Sequence, residues 1–171
     1  MPTEVWLPLL TLILGYVGSL LTESRRDARL AQREEKARTD ARALASADRR
    51  DEFQRKTLLE LQEALMVVAR ITAEMHSEDR RGFKATGQWT GGLHSEGLDQ
   101  RGQAANGVLS TIAVRVLDDR LRATVDEFHK AATHAAVIAR TREEAVEAMS
   151  VMTNSMVRAN ERIGELLRSL Y

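Results

Sequence analysis

The residues with the most chemical potential in this chain are its four histidines and the acids near them. Asp126-Glu-Phe-His129 spaces a carboxylate and an imidazole three positions apart, which on a helix puts both on one face. That is half of the motif from which di-metal carboxylate bundles are built, and such a site needs a second acid-x-x-His pair. No second pair occurs. His129 and His134 are five apart and share a face poorly. His76 and His94 flank a glycine-rich stretch without a common spacing, so the histidines read as surface residues. No serine nucleophile elbow, H-E-x-x-H or paired catalytic carboxylate is present. The absence of cysteine excludes a disulfide framework and a thiolate metal site. The sequence therefore predicts a non-enzymatic protein with no catalytic residue, no cofactor and no metal. A metal-binding bundle centred on Asp126 and His129 is kept only as an alternative.

Residues 76–107 hold seven of the ten glycines, and this density predicts a long loop. The glycines match neither G-x-G-x-x-G nor a Walker loop, so they offer no phosphate cradle. Phe83 and Trp89 fall within this stretch, and large aromatics on a loop are expected to dock against the rest of the domain rather than stay wet.

The elements that must carry these residues begin with 5–22, V-W-L-P-L-L-T-L-I-L-G-Y-V-G-S-L-L-T, which has no charge and is bracketed by Glu4 and Glu23. At about 1.5 Å per residue a helix of this length reaches roughly 27 Å, close to the ~30 Å hydrocarbon core of a bilayer. The short leader Met1-Pro2-Thr3-Glu4 has no Lys or Arg, and no A-x-A cleavage pattern follows. The stretch thus reads as a retained anchor over 1–22 rather than a cleaved signal. Arg25, Arg26 and Arg29 just beyond it place the C-terminal side in the cytoplasm and the N-terminus outside. Thr11, Gly15 and Ser19 recur every four residues, with Gly18 and Thr22 as a parallel pair. Small residues at that spacing let two spans pack closely and make a homo-oligomer the expectation.

Residues 23–52 follow as a charged juxtamembrane helix. Between Glu23 and Lys56 there are 11 basic and 8 acidic residues. Leu30, Ala37 and Leu44 are seven apart and their register continues to Leu58 and Leu65, one edge of a coiled-coil seam; the companion positions Arg33, Asp40, Ala47 and Gln54 are poor. The interspersed acids and the formal net charge of zero argue against a nucleic-acid partner.

From Phe53 onward the apolar pattern is that of a helical bundle. Leu58, Leu61, Leu65, Val68, Thr72 and Met75 take steps of three and four, and Leu59, Met66, Val67 and Ile71 widen the face. A second helix, starting between Glu96 and Ala104, presents Ala105, Leu109, Ile112 and Val116. A third, capped by Asp118 or Asp119 and running to about Ala139, presents Leu121, Val125, Phe128, Ala132 and Ala135. Thr141-Arg-Glu-Glu144 is a capping box for a fourth, whose heptad is read as Val146, Met149, Thr153, Met156, Asn160, Ile163, Leu167 and Leu170. Met149, Met152 and Met156 read as core filler.

Four segments, F-Q-R-K-T-L-L-E-L-Q-E-A-L (53–65), A-T-G-Q-W (85–89), A-V-R-V-L-D-D-R-L-R (113–122) and N-E-R-I-G-E-L-L-R (160–168), carry a resemblance. With them the chain resembles a group of small uncharacterised single-span membrane proteins of high-GC Gram-positive bacteria. The resemblance implies a bacterial plasma-membrane location and one unit of fold, and no activity. The expected protein is all-α: an anchor at 1–22, a stalk at 23–52, and an antiparallel bundle of about four helices at 53–171 with a glycine-rich loop at 76–107. Its expected role is a membrane-anchored oligomerisation or scaffold module that presents the bundle to a protein partner. A membrane-perturbing effector of a defence or phage-related system is the alternative from another class.

Overall fold

The computed structural model describes residues 6–89 and 91–170, with side chains from residue 32 on. The chain is all-helical over these residues. Helix α1 runs Trp6–Thr86, α2 Glu96–Ala113, α3 Asp119–Thr133 and α4 Arg142–Ser169, with a short π-helical turn, His134–Ile138, between α3 and α4. The chain separates into two compact units, Met1–Arg49 and Arg50–Tyr171. In the first, every side chain from residue 32 onward is exposed. The second is a helical bundle around one hydrophobic core.

The core residues are those the three-and-four spacing picks out. Leu58, Leu61, Leu65, Val68, Thr72 and Met75 are all buried on α1. Leu109, Ile112 and Val116 meet them from α2 and the turn after it, and Leu121, Val125 and Phe128 from α3. Asp118 caps α3 by accepting from Leu121 N–H at 2.7 Å. The same carboxylate receives the Arg162 guanidinium at 2.7 and 3.3 Å, a two-pronged tie from α4 to the start of α3. This hydrogen-bonded guanidinium holds the Asp118 carboxyl below the usual carboxylate range. At α4 the Thr141 hydroxyl accepts from Glu144 N–H, the first half of the expected capping box, while the Glu144 carboxylate accepts from Arg140 N–H, one residue ahead of the N-cap.

Gln54, which would be a poor seam residue in a coiled coil, is buried with a different task. Its amide nitrogen donates to Arg115 C=O and its oxygen accepts from Leu117 N–H. The α2–α3 turn is thereby pinned to α1, and two backbone groups of that turn gain partners.

Two expectations are corrected. The loop predicted over 76–107 shrinks to 87–95, because 76–86 continue α1 and 96–107 open α2. A helical glycine costs roughly 1 kcal/mol against alanine, which tertiary packing readily outweighs. Gly102 is buried against α1, where a Cβ would stand 2.8 Å from Met75 Cε, the flexible end of that side chain. The second correction concerns α4. Its buried side is Ala145, Ala148, Met152, Ser155, Ala159 and Ile163, while Val146 is half exposed and Thr153 lies outside. In its first half the seam runs one position away from Val146 and Thr153, where Ala131 of α3 and Ala135 of the π turn stand opposite, and small residues on both sides permit a closer approach than Val would.

Among the described residues no helix is long and apolar enough to cross a membrane. The span expected over 5–22 lies outside the residues whose side chains are described, and so do Thr11, Gly15, Gly18, Ser19 and Thr22 and the basic group Arg25, Arg26 and Arg29.

Candidate functional site

The short segment 87–95 folds back over the end of α1, and polar groups collect beneath it. Asp79 continues the buried ladder of α1 one step beyond Met75 and is 2% exposed. His94 meets it, Nε2 to Oδ2 at 3.2 Å, with both side chains about 1% exposed. On the other edge of the ring Nδ1 stands 3.5 Å from Oδ1 of Asp99, in the first turn of α2. One residue on, Glu78 accepts from both the backbone N–H and the hydroxyl of Ser95, at 3.3 Å each. Ser95 is the N-cap of α2, yet its own side chain makes no cap bond, so α1 supplies the acceptor for the helix start.

Trp89 covers the adjoining part of α1. Its ring is 5.5 Å from His76 and 6.2 Å from Phe83, both tilted. The two aromatics expected to dock thus meet each other, although Phe83 lies on α1 itself. The Trp89 indole nitrogen and His76 Nδ1 are buried without a hydrogen-bond partner. Gly91 and Gly92 make the fold-back possible. A Cβ on Gly91 would run into the Ala139 carbonyl oxygen, and Gly92 has φ +87° with Val137 O 3.2 Å from where its Cβ would be.

Burial pushes the His76 imidazole below its ordinary value of 6.5, and the charges of Arg80 and Arg142 act the same way, partly opposed by Asp79. A lowered value in the folded state means that the unfolded chain protonates first as pH falls through 6.5. The contribution of His76 is therefore whole above that pH and declines below it. Denaturant titrations of wild type and His76→Phe should show wild type losing stability relative to the variant between about pH 7.5 and about pH 5.5. A difference that stays flat over this range would refute the assignment.

The acid-x-x-His pair does not form a site. Asp126 is exposed and pairs with Lys130 at 2.7 Å, whereas His129 lines a cavity facing α1 and α2. Among the described residues no group of three or more His, Cys, Asp or Glu side chains could hold a metal ion. Sequence reasoning missed Asp79, His94 and Asp99. The available signal was the step of four from Met75 to Asp79, which keeps the three-and-four ladder running into the glycine-rich stretch.

The arrangement can clamp the 87–95 segment to the bundle and place an imidazole between two carboxylates. No protein-family model matches the chain, and neither a curated protein nor a solved structure shows significant similarity to it.

Proposed function

We propose that this protein is a membrane-anchored, non-enzymatic helical module that self-associates and presents its bundle on the cytoplasmic side of a bacterial plasma membrane. The observation that carries the reading is the exposure of every side chain from residue 32 to residue 53 within α1. Isolated helices take most of their stability from tertiary packing, and this stretch has none of its own. Its i,i+4 ion pairs are sparse, Arg38 to Glu34 at 3.9 Å being one, and exposed pairs of that kind contribute only about 0.3–0.5 kcal/mol. A second copy alongside supplies what is missing. Leu44, 65% exposed, lies in the Leu30, Ala37, Leu44 register and would be covered in such a pair. Within the bundle, Leu59, Met66 and Val67 remain exposed on α1 and provide apolar surface for a protein partner.

The uncharged stretch 5–22 and the arginines after it support the anchor and its orientation. The Thr11, Gly15, Ser19 face, with Gly18 and Thr22 beside it, is the contact we assign to the spans. Confinement to a membrane raises the effective concentration of two stalks and allows a poor seam to close.

Crosslinking full-length protein in native membranes should trap a dimer or higher oligomer. Gly15→Leu should weaken association about tenfold, more than Leu44→Ala does. A purely monomeric pattern in wild type would remove the self-association, and an equal or larger loss from Leu44→Ala would move the organising contact from the span to the stalk.

A further inference from the structure

Between α1, α2 and the end of α3 lies a cavity of about 240 Å³, open beside the exposed side chains of Gln103 and Val137. Val68, Ile71 and Met75 on one side and Ala132 and Ala136 on the other give it aliphatic walls, and polar side chains, His129 and Asn106 among them, stand between these. Asp99 is its one carboxylate, and neither Lys nor Arg lines it. That carboxylate is partly exposed, 43%, and His94 is its one ion-pair partner among the described residues. His94 is itself hydrogen-bonded to Asp79. The π-helical turn His134–Ile138 supplies part of the wall through Ala136 and Val137, and such single π turns recur at functional sites.

The geometry points to a binding site for a compact monoammonium compound with an apolar body, the cation on Asp99 and the body between α1 and α3. An apolar cavity of about 150 Å³ is enough to take benzene. The present one therefore has room for a phenyl ring with an aminomethyl group. Apolar walls with a few polar groups that fix orientation are the usual plan of a small-ligand site, and here the carboxylate of Asp99 is the group that would hold a cation. Binding here is independent of the self-association proposed above, since none of these residues belongs to the span or the stalk.

Methyl NMR of full-length protein, following the Ile71 and Met75 methyl groups, tests this with benzylammonium and benzyl alcohol as probes. Benzylammonium should give saturable shifts at both residues and bind at least about tenfold more tightly than benzyl alcohol. Asp99→Asn should reduce that preference to less than about threefold while the alcohol binds as before. Failure of benzylammonium to saturate by about 10 mM, or equal affinities for the two probes in wild type, would overturn the proposal without recourse to any variant. A preference that survives Asp99→Asn in a folded protein would remove Asp99 from the site and overturn it as well.

Discussion

Replacing His94 with leucine is expected to lower the unfolding free energy by about 3–5 kcal/mol, measured by urea denaturation at neutral pH. The size of the effect comes from what is left behind. Asp79 is 2% exposed, and His94 is its partner at 3.2 Å. Leucine fills the space of the ring but leaves a buried carboxylate with neither water nor donor. The same reasoning makes the double variant informative. His94→Leu combined with Asp79→Leu removes the orphaned charge as well, and apolar replacement of a whole buried ion pair is often close to neutral. The double variant should therefore be more stable than His94→Leu alone, a reversal of the usual accumulation of damage. A loss below about 1 kcal/mol for His94→Leu would show that the imidazole is not what holds the 87–95 segment down.

The second large effect lies in the seam between α3 and α4. Ala159 is fully buried, and the α4 positions in line with it are Ala145, Ala148, Met152 and Ser155. Ala159→Leu forces three extra carbons between two helices that approach closely because both offer small residues, and overpacking of this kind costs about 1–3 kcal/mol. Val146→Ala, one position from the seam and half exposed, should change stability by less than about 0.5 kcal/mol. Thermal unfolding of the two variants side by side separates the observed seam from the heptad built on the larger side chains. If Val146→Ala proves the more damaging, the seam has been assigned to the wrong face.

These two sites also show how far the sequence carries. The apolar faces of α1, α2 and α3 are legible because large aliphatic residues at steps of three and four have no other place to go than a core. The caps at Asp118 and Thr141 are legible because their side chains satisfy backbone donors a fixed distance along the chain. The seam of α4 is legible only in part: Ile163 is buried and Met149, Met156, Leu167 and Leu170 pack against the core as the heptad predicts, whereas elsewhere small residues take the buried positions. Val146 and Thr153 look more like seam residues than Ala145 and Ser155 do. The site near His94 was hidden for another reason. Glycines at 82, 102 and 107 signal a loop locally, whereas all three lie inside helices. Once 76–86 is read as loop, Asp79 loses its place on the ladder and its meeting with His94 cannot be foreseen. The span, the stalk contact and the partner surface rest on sequence pattern and exposure, and the crosslinking result decides them.

The π turn ahead of α4 has a consequence in terms of chain length. Ala139 N–H donates to His134 C=O at 2.9 Å, five residues back where an α-helix would reach four. The turn thus stores one residue that adds little to the axial advance. Loss of a single residue there, for example the exposed Val137, would let the segment close as an ordinary α turn. Each residue of an α-helix carries about 100° of rotation, so the chain entering α4 would leave in a different direction. The alanine stripe of α4 and the carbonyls that receive Gly91 and Gly92 would both be turned off their partners. This connection therefore tolerates side-chain change at Val137 far better than a one-residue shortening, and the number of residues in it acts as a phase setting for the helix that follows.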